Sequence, residues 1–330
     1  MKIAFFEVEE GEEAEIKNSF KGHSLDFFKE PLGKDNIKKA RSCDIISIFV
    51  YSKIDKKILS GMPKLKLIST RSVGYDHIDL KECRKKRIIV CNVPSYGENT
   101  VAEHAFALIL SLSRNVHKAY LRGLSQNYDL RGLKGWDLRD KIIGVVGAGH
   151  IGMNVIKIAK GFGMKVLAYD LKKDNIIAKG IGFDYVNIES LLRDSDIISL
   201  HLPYNENTKH IINSASIKKM KKGVIIINTA RGGLIDTKAL LNAIEKKQIG
   251  GAGLDVIEDE DIIKEDKEAM TKNHEKIKRA IEEYRLLKNE NVVFTPHMAF
   301  YSNEAIKRIH EVTIQNISGF LEKKIQNSVL

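Results

Sequence analysis

The sequence predicts an α/β protein with two doubly wound parallel sheets, on three observations. Short apolar runs alternate with helical stretches from Ile3 to Cys91, the same alternation starts again at Ile142 and runs to Phe294, and 330 residues are too many for one ordinary core. Two such sheets make two Rossmann-like domains with a cleft between them.

In order along the chain, Ile3 to Phe6, Ile45 to Val50, Leu67 to Ser69 and Ile88 to Cys91 read as buried parallel strands. Asn99-Thr100 offers helix caps, and Val101 to Tyr120 carries apolar residues at helical spacing, which predicts one long linking helix. After a polar stretch from Gly132 to Asp140, the second set of strands is Ile142 to Val146, Val166 to Tyr169, Ile197 to Leu200, Val224 to Ile227, Gly253 to Val256 and Val292 to Phe294. Asp259 to Asn291 is highly charged, with Ile277, Ile281 and Tyr284 at one-face spacing, and predicts a surface helix. The last apolar helix, Asn303 to Glu322, is assigned back to the first sheet, which is short of helical cover. The domains are therefore expected at 1–99 with 299–330, and at 100–298.

Composition is globular, at 43% hydrophobic and 29% charged residues. Cys43, Cys83 and Cys91 are odd in number and lack CxxC spacing, which argues against a disulfide framework or a zinc site and for the cytoplasm. No metal is expected. Met1-Lys-Ile-Ala-Phe-Phe runs directly into acidic residues rather than a signal peptide, and Val101 to Leu112 is too short and polar for a bilayer. The net charge of +11 invites a nucleic-acid reading. The basic residues are scattered, interleaved with acids and without aromatic readers, so a solvated surface that attracts small anions accounts for them.

Lys141 to Val146 is an apolar strand that opens into Gly147-Ala-Gly149-His-Ile-Gly152. In a GxGxxG turn the first two glycines let backbone approach a pyrophosphate, and the third lets the following helix pack on the strand. Contacts are expected along Gly147, Gly149, His150, Ile151 and Gly152. Asp170 closes the next strand, where an acid accepts from a ribose 2′-hydroxyl and repels a 2′-phosphate, so NAD is favoured over NADP. By the rule that ligands bind beyond the carboxyl ends of strands, Leu202, Pro203, Thr208, Thr229, Ala230, Arg231 and Asp255 are expected to line the same crevice.

Arg231, Glu260 and His297 each lie shortly after a predicted strand. Hydride transfer to a ketone leaves negative charge on oxygen. An imidazolium can donate to that oxygen, a carboxylate can orient and stabilise the imidazolium, and a planar guanidinium can grip a substrate carboxylate with two bonds. His104, beside Glu103 on an apolar helix, reads as half of a satisfied core pair.

Gly147 to Gly152, Asn228-Thr-Ala-Arg-Gly-Gly-Leu-Ile-Asp236, Gly253-Leu-Asp-Val and Pro296-His297 resemble the D-isomer-specific 2-hydroxyacid dehydrogenases. The likeness extends to Thr70 to Asp76 and Val93 to His104, and so covers most of the chain. It implies that Arg231 binds the substrate carboxylate and polarises the carbonyl, that Glu260 partners His297, and that His297 is the acid/base. It also implies that amides at Val73 and Gly74 complete the carboxylate clamp. Within the family, Pro296 to Tyr301, Val93 to Tyr96 and the long segment between acid and histidine are similar to the D-lactate dehydrogenase group. Tyr51, Tyr96 and Phe300 are expected to narrow the pocket around a methyl group, which points to pyruvate and D-lactate. Two positions depart from the family pattern: Met298 stands where Thr or Ile is common, and Asp261 replaces a proline. The resemblance further implies a homodimer with the helix from Val101 at the interface. The alternatives are a broader reductase of bulkier 2-oxo acids and a non-catalytic, NAD-sensing protein of corepressor type.

Overall fold

Runs such as Ile45-Ile-Ser-Ile48 and Val224-Ile-Ile-Ile-Asn228 are buried along their whole length, as strands covered on both faces must be. The computed structural model describes residues 1–9, 11–258 and 274–330. The chain divides into two units, Met1–Tyr96 with Ser302–Leu330, and Gly97–Tyr301, where the sequence places the junctions at 99/100 and 298/299.

The first unit holds β1 (Lys2–Phe5), β2 (Ser24–Phe27), β3 (Ile45–Ile48), β4 (Leu67–Thr70) and β5 (Ile89–Cys91) in one parallel sheet, ordered β2-β1-β3-β4-β5. Alternation along the strands makes two cores. Ile3, Phe5, Ile45 and Leu67 meet Ile314, Ile317 and Phe320 of the helix Asn303–Leu321, while Ala4, Ile46, Ile48 and Ile68 face the other way. Strand β2 is missing from the sequence reading because Ser-Leu-Asp-Phe is half polar. It is an edge strand paired on one side only, so half its surface stays wet.

The second unit holds β6 (Ile142–Val146), β7 (Lys165–Tyr169), β8 (Asp184–Tyr185), β9 (Ile197–Leu200), β10 (Val224–Asn228), β11 (Ile249–Leu254) and β12 (Val292–Phe294). The order is β12-β11-β10-β9-β6-β7-β8, again parallel throughout. Ile225 and Ile227 join Leu108 and Ile109 of the helix Glu98–Ser113 on one face, and Val224 and Ile226 join Leu240 and Ile244 of the helix Thr237–Glu245 on the other.

One helical expectation changes. The predicted single helix from Val101 to Tyr120 is two, Glu98–Ser113 and Val116–Leu124, broken where Asn115 takes a left-handed backbone at φ 51°. The helix expected at the surface is His274–Leu287, with Ile281 and Tyr284 exposed and Glu283 and Leu286 buried. No helix among the described residues is long and apolar enough to cross a membrane.

Candidate functional site

In an open parallel sheet a crevice forms where the strand order reverses, beyond the carboxyl ends of the two central strands. In the second unit those strands are β6 and β9. Gly147, at φ 98°, follows β6, and a Cβ there would lie 2.6 Å from the carbonyl oxygen of His201 after β9 and 3.1 Å from Cδ2 of Leu202. A Cβ on Gly152 would meet the Gly147 carbonyl oxygen at 1.9 Å, so the helix His150–Gly161 seats directly on the turn. Gly149 differs. A Cβ there meets nothing within 4 Å, which leaves open space at the N-cap of a helix that has no side-chain cap.

That geometry fits a dinucleotide. Backbone can approach a pyrophosphate at Gly149, and the uncapped amides at His150 and Ile151 offer donors. Asp170 directly follows β7, and its carboxylate accepts from the Ala148 amide at 2.8 Å and the Lys172 amide at 2.8 Å. The acid is thereby pinned to the glycine turn rather than swinging in solvent. Pro203 and Thr208 close a turn on themselves, with Thr208 Oγ1 donating to the Pro203 carbonyl at 2.7 Å. The buried Thr229 hydroxyl has no hydrogen-bond partner among the described residues, which suits a site that is completed by a ligand.

Arg231 is presented by β10. The fully buried Asn228 accepts from the Ala230 amide at 3.0 Å and donates to the Arg231 carbonyl at 2.9 Å, so one side chain shapes the whole turn. The following glycine is forced by space, since a Cβ on Gly232 would fall 1.8 Å from the Ile257 carbonyl oxygen. The half-buried guanidinium donates through Nη1 to the Ala230 carbonyl at 2.8 Å.

His297 sits on the turn after β12, in left-handed backbone at φ 54°. Such a conformation costs a non-glycine residue on the order of 1 kcal/mol and persists only where the surroundings impose it. Asp255 imposes it. Its carbonyl accepts from the His297 amide at 2.8 Å, and its carboxylate accepts from Thr295 Oγ1 at 2.6 Å, the Met298 amide at 2.9 Å and the Ala299 amide at 2.9 Å. Phe300 meets the imidazole edge to face, with ring centroids 6.5 Å apart.

Asp255, expected to line the dinucleotide crevice, is fully buried behind the His297 turn and accepts from that turn through both carboxylate oxygens. Burial pushes its carboxyl up, but hydrogen bonds from His104, Thr295 and the amides of Ala299 and Met298 outweigh this and hold it below the ordinary range. His104 departs from the expected pair with Glu103. Glu103 is exposed and accepts from Asn99 at 3.2 Å, whereas His104 Nε2 lies 2.9 Å from Thr295 Oγ1 and 3.5 Å from Asp255. Thr295 and His104 were missing from the sequence reading of the site, and the one available signal was a polar pair on an otherwise apolar helix.

A carboxyl held low in the fold contributes stability that is present above its unfolded value of about 3.9 and lost as pH falls below it. Melting temperatures of the wild type should therefore drop more steeply below about pH 4 than those of Asp255→Asn, which starts lower at neutral pH. Identical acid dependence in the two proteins would remove Asp255 from this role.

β10, β11 and β12 are adjacent and parallel, with Asn228 in register with Leu254 and Leu254 with Phe294, so Arg231, Asp255 and His297 all leave the same edge of one sheet. Glu260 lies outside the described residues; nearby Glu258 is bonded to His210 Nε2 at 2.6 Å. Tyr51, Val73, Gly74 and Tyr96 belong to the first unit.

Comparison with known proteins gives the family. The family described as D-isomer specific 2-hydroxyacid dehydrogenase, NAD binding domain, matches residues 106–299. The chain is 36% identical over 329 residues to the D-lactate dehydrogenase of Escherichia coli K12, covering 98% of this chain and 97% of the relative. It is 35% identical to the glyoxylate reductase of Korarchaeum cryptofilum, covering 98% and 95%. The structure of D-lactate dehydrogenase from Aquifex aeolicus complexed with NAD and lactic acid superposes with a TM-score of 0.90 at 38% identity, covering 99% of this chain and 98% of that one. The glycine turn, the acid after β7 and the arginine and histidine turns thus belong to a chain of the D-isomer-specific 2-hydroxyacid dehydrogenase family, an NAD-dependent oxidoreductase.

Proposed function

We propose that the protein is a D-lactate dehydrogenase that interconverts pyruvate and D-lactate. The observation that carries this reading is the His297 turn, where Asp255 imposes a strained backbone and Phe300 meets the imidazole in a T-shaped contact. Strain that is held so firmly has a use when the residue must meet a reacting atom. When bound, the cofactor would supply a hydride to the carbonyl carbon as NADH, or take one from the hydroxyl-bearing carbon as NAD. His297 donates the proton to the carbonyl oxygen in reduction and accepts it in oxidation. Arg231 binds the carboxylate through its planar fork and polarises the carbonyl. Glu260 is proposed to orient His297 and to stabilise its charged form.

From the first unit, Val73 and Gly74 are proposed to donate their amides to the substrate carboxylate. Their carbonyls are already committed, Val73 to Asn92 Nδ2 at 2.8 Å and Gly74 to Ser72 Oγ at 2.6 Å, and this fixes the loop. Tyr51, Tyr96 and Phe300 are proposed as the wall around a small side chain.

Rates of NADH consumption with pyruvate, glyoxylate, hydroxypyruvate and phenylpyruvate, with the chirality of each product determined, test the assignment. Pyruvate should be preferred and should give the D product. Equal or better efficiency with phenylpyruvate would replace this reading with a broader 2-oxo acid reductase.

A homodimer is also proposed, through the helix Val116–Leu124 rather than the largely buried Glu98–Ser113. Val116, Tyr120 and Leu124 recur at helical spacing and stand 53%, 66% and 66% exposed, a stripe that a second copy would cover. Sedimentation should give a dimer for the wild type and a monomer for Tyr120→Glu with Leu124→Glu; a wild-type monomer would end the idea.

A further inference from the structure

The first sheet has its own reversal of strand order, between β1 and β3. The residue that leaves β1 there is Glu7, and the turn that leaves β3 is Phe49 to Ser52. One carboxylate ties the two together. Glu7 Oε2 accepts from the Phe49 amide at 2.8 Å and from Ser52 Oγ at 2.5 Å, and Oε1 accepts from the Tyr51 amide at 2.9 Å. Ser52 is fully buried and its hydroxyl in turn accepts from the Leu32 amide at 2.9 Å.

Glu7 is itself held in place. Its backbone is left-handed at φ 57°, and its carbonyl accepts from Arg71 Nη2 at 2.5 Å. The same guanidinium bonds the Phe6 carbonyl at 2.6 Å and Glu12 at 2.9 Å, and its carbon lies 5.7 Å from the centroid of the Phe49 ring. Arg71 is only 4% exposed, so this anchor is rigid and buried. At the end of the chain of contacts, Tyr51 stands 41% exposed on the turn that Glu7 closes.

We propose that Glu7 is a positioning residue for substrate selection: it fixes the Phe49 to Ser52 turn and so sets where Tyr51 stands in the wall of the substrate pocket. The inference rests on the reading of Tyr51 as a pocket residue given above. A carboxylate is suited to the task because its two oxygens accept three donors at once. A glutamine at this position offers one acceptor oxygen and must release at least one end of the turn.

The test is the ratio of kcat/KM for pyruvate to that for phenylpyruvate, in Glu7→Gln, Tyr51→Ala and the double variant. Glu7→Gln should shift the ratio by about fivefold toward the bulkier acid, mostly through a higher KM for pyruvate, with KM for NADH unchanged. In the Tyr51→Ala background the same substitution should leave the ratio alone, because the two residues act as one unit. A shift that persists fully in that background overturns the inference, and so does a loss of kcat shared equally by both substrates, the signature of mere destabilisation. If Tyr51→Ala moves the ratio and Glu7→Gln does not, the inference fails while the pocket reading stands. If Tyr51→Ala does not move it, the pocket reading fails, and the inference with it. Should Glu7→Gln not fold, Ser52→Ala removes one of the three bonds and must shift the ratio in the same direction to a smaller degree; no shift there overturns the proposal.

Discussion

Arg231→Ala is expected to lower kcat/KM for pyruvate by about 10³-fold, on the order of 4 kcal/mol of transition-state stabilisation, with most of the loss in kcat. The size follows from the two tasks proposed for one guanidinium, which are to hold the carboxylate and to face the oxygen as charge grows on it. Asn228 shapes the Arg231 turn through the backbone alone, accepting from the Ala230 amide and donating to the Arg231 carbonyl, so truncating the arginine side chain leaves the turn intact. Arg231→Lys should recover only part of the loss, because an ammonium keeps the charge and lacks the planar fork. Steady-state kinetics of both variants decide the matter, and near-wild-type values in Arg231→Ala would show that the carboxylate is held by something else.

His297→Asn should reduce kcat by about 10² to 10⁴-fold, the usual range for losing a positioned acid/base. Asparagine is the informative replacement. It tolerates left-handed backbone better than alanine does, so the turn at φ 54° and its bonds to Asp255 should survive. NADH affinity and melting temperature should then stay close to wild type while turnover collapses. If the His297→Asn variant still turns over at a tenth of the wild-type rate or better, the proton-transfer role does not belong to His297.

Much of the fold was legible because its strands are buried on both faces and so read as unbroken apolar runs. Ile142 to Val146, Ile197 to Leu200 and Val292 to Phe294 have the bounds expected of them. β2 and β8 were not legible. Both lie at sheet edges, where half a strand can be polar, and β8 is only Asp184–Tyr185. The start of β11 was hidden too, because Ile249-Gly-Gly-Ala-Gly has hardly any side chain from which to read a pattern.

What the sequence determined by itself is the order of the chemistry: a glycine turn and an acid for a dinucleotide, then an arginine turn and a histidine turn, each at the end of an apolar run. Local chain properties suffice for this, since a turn needs its glycines and a strand its branched residues whatever lies beside them. What only the tertiary structure decided is how those groups are held. Asp255 bonds a turn some 40 residues further on, His104 reaches Thr295 across 191 positions, and Glu7 closes a turn more than 40 residues away. Carboxylates and imidazoles in such roles look like any other polar residue until folding removes their water, and then the donors brought beside them are the only partners left.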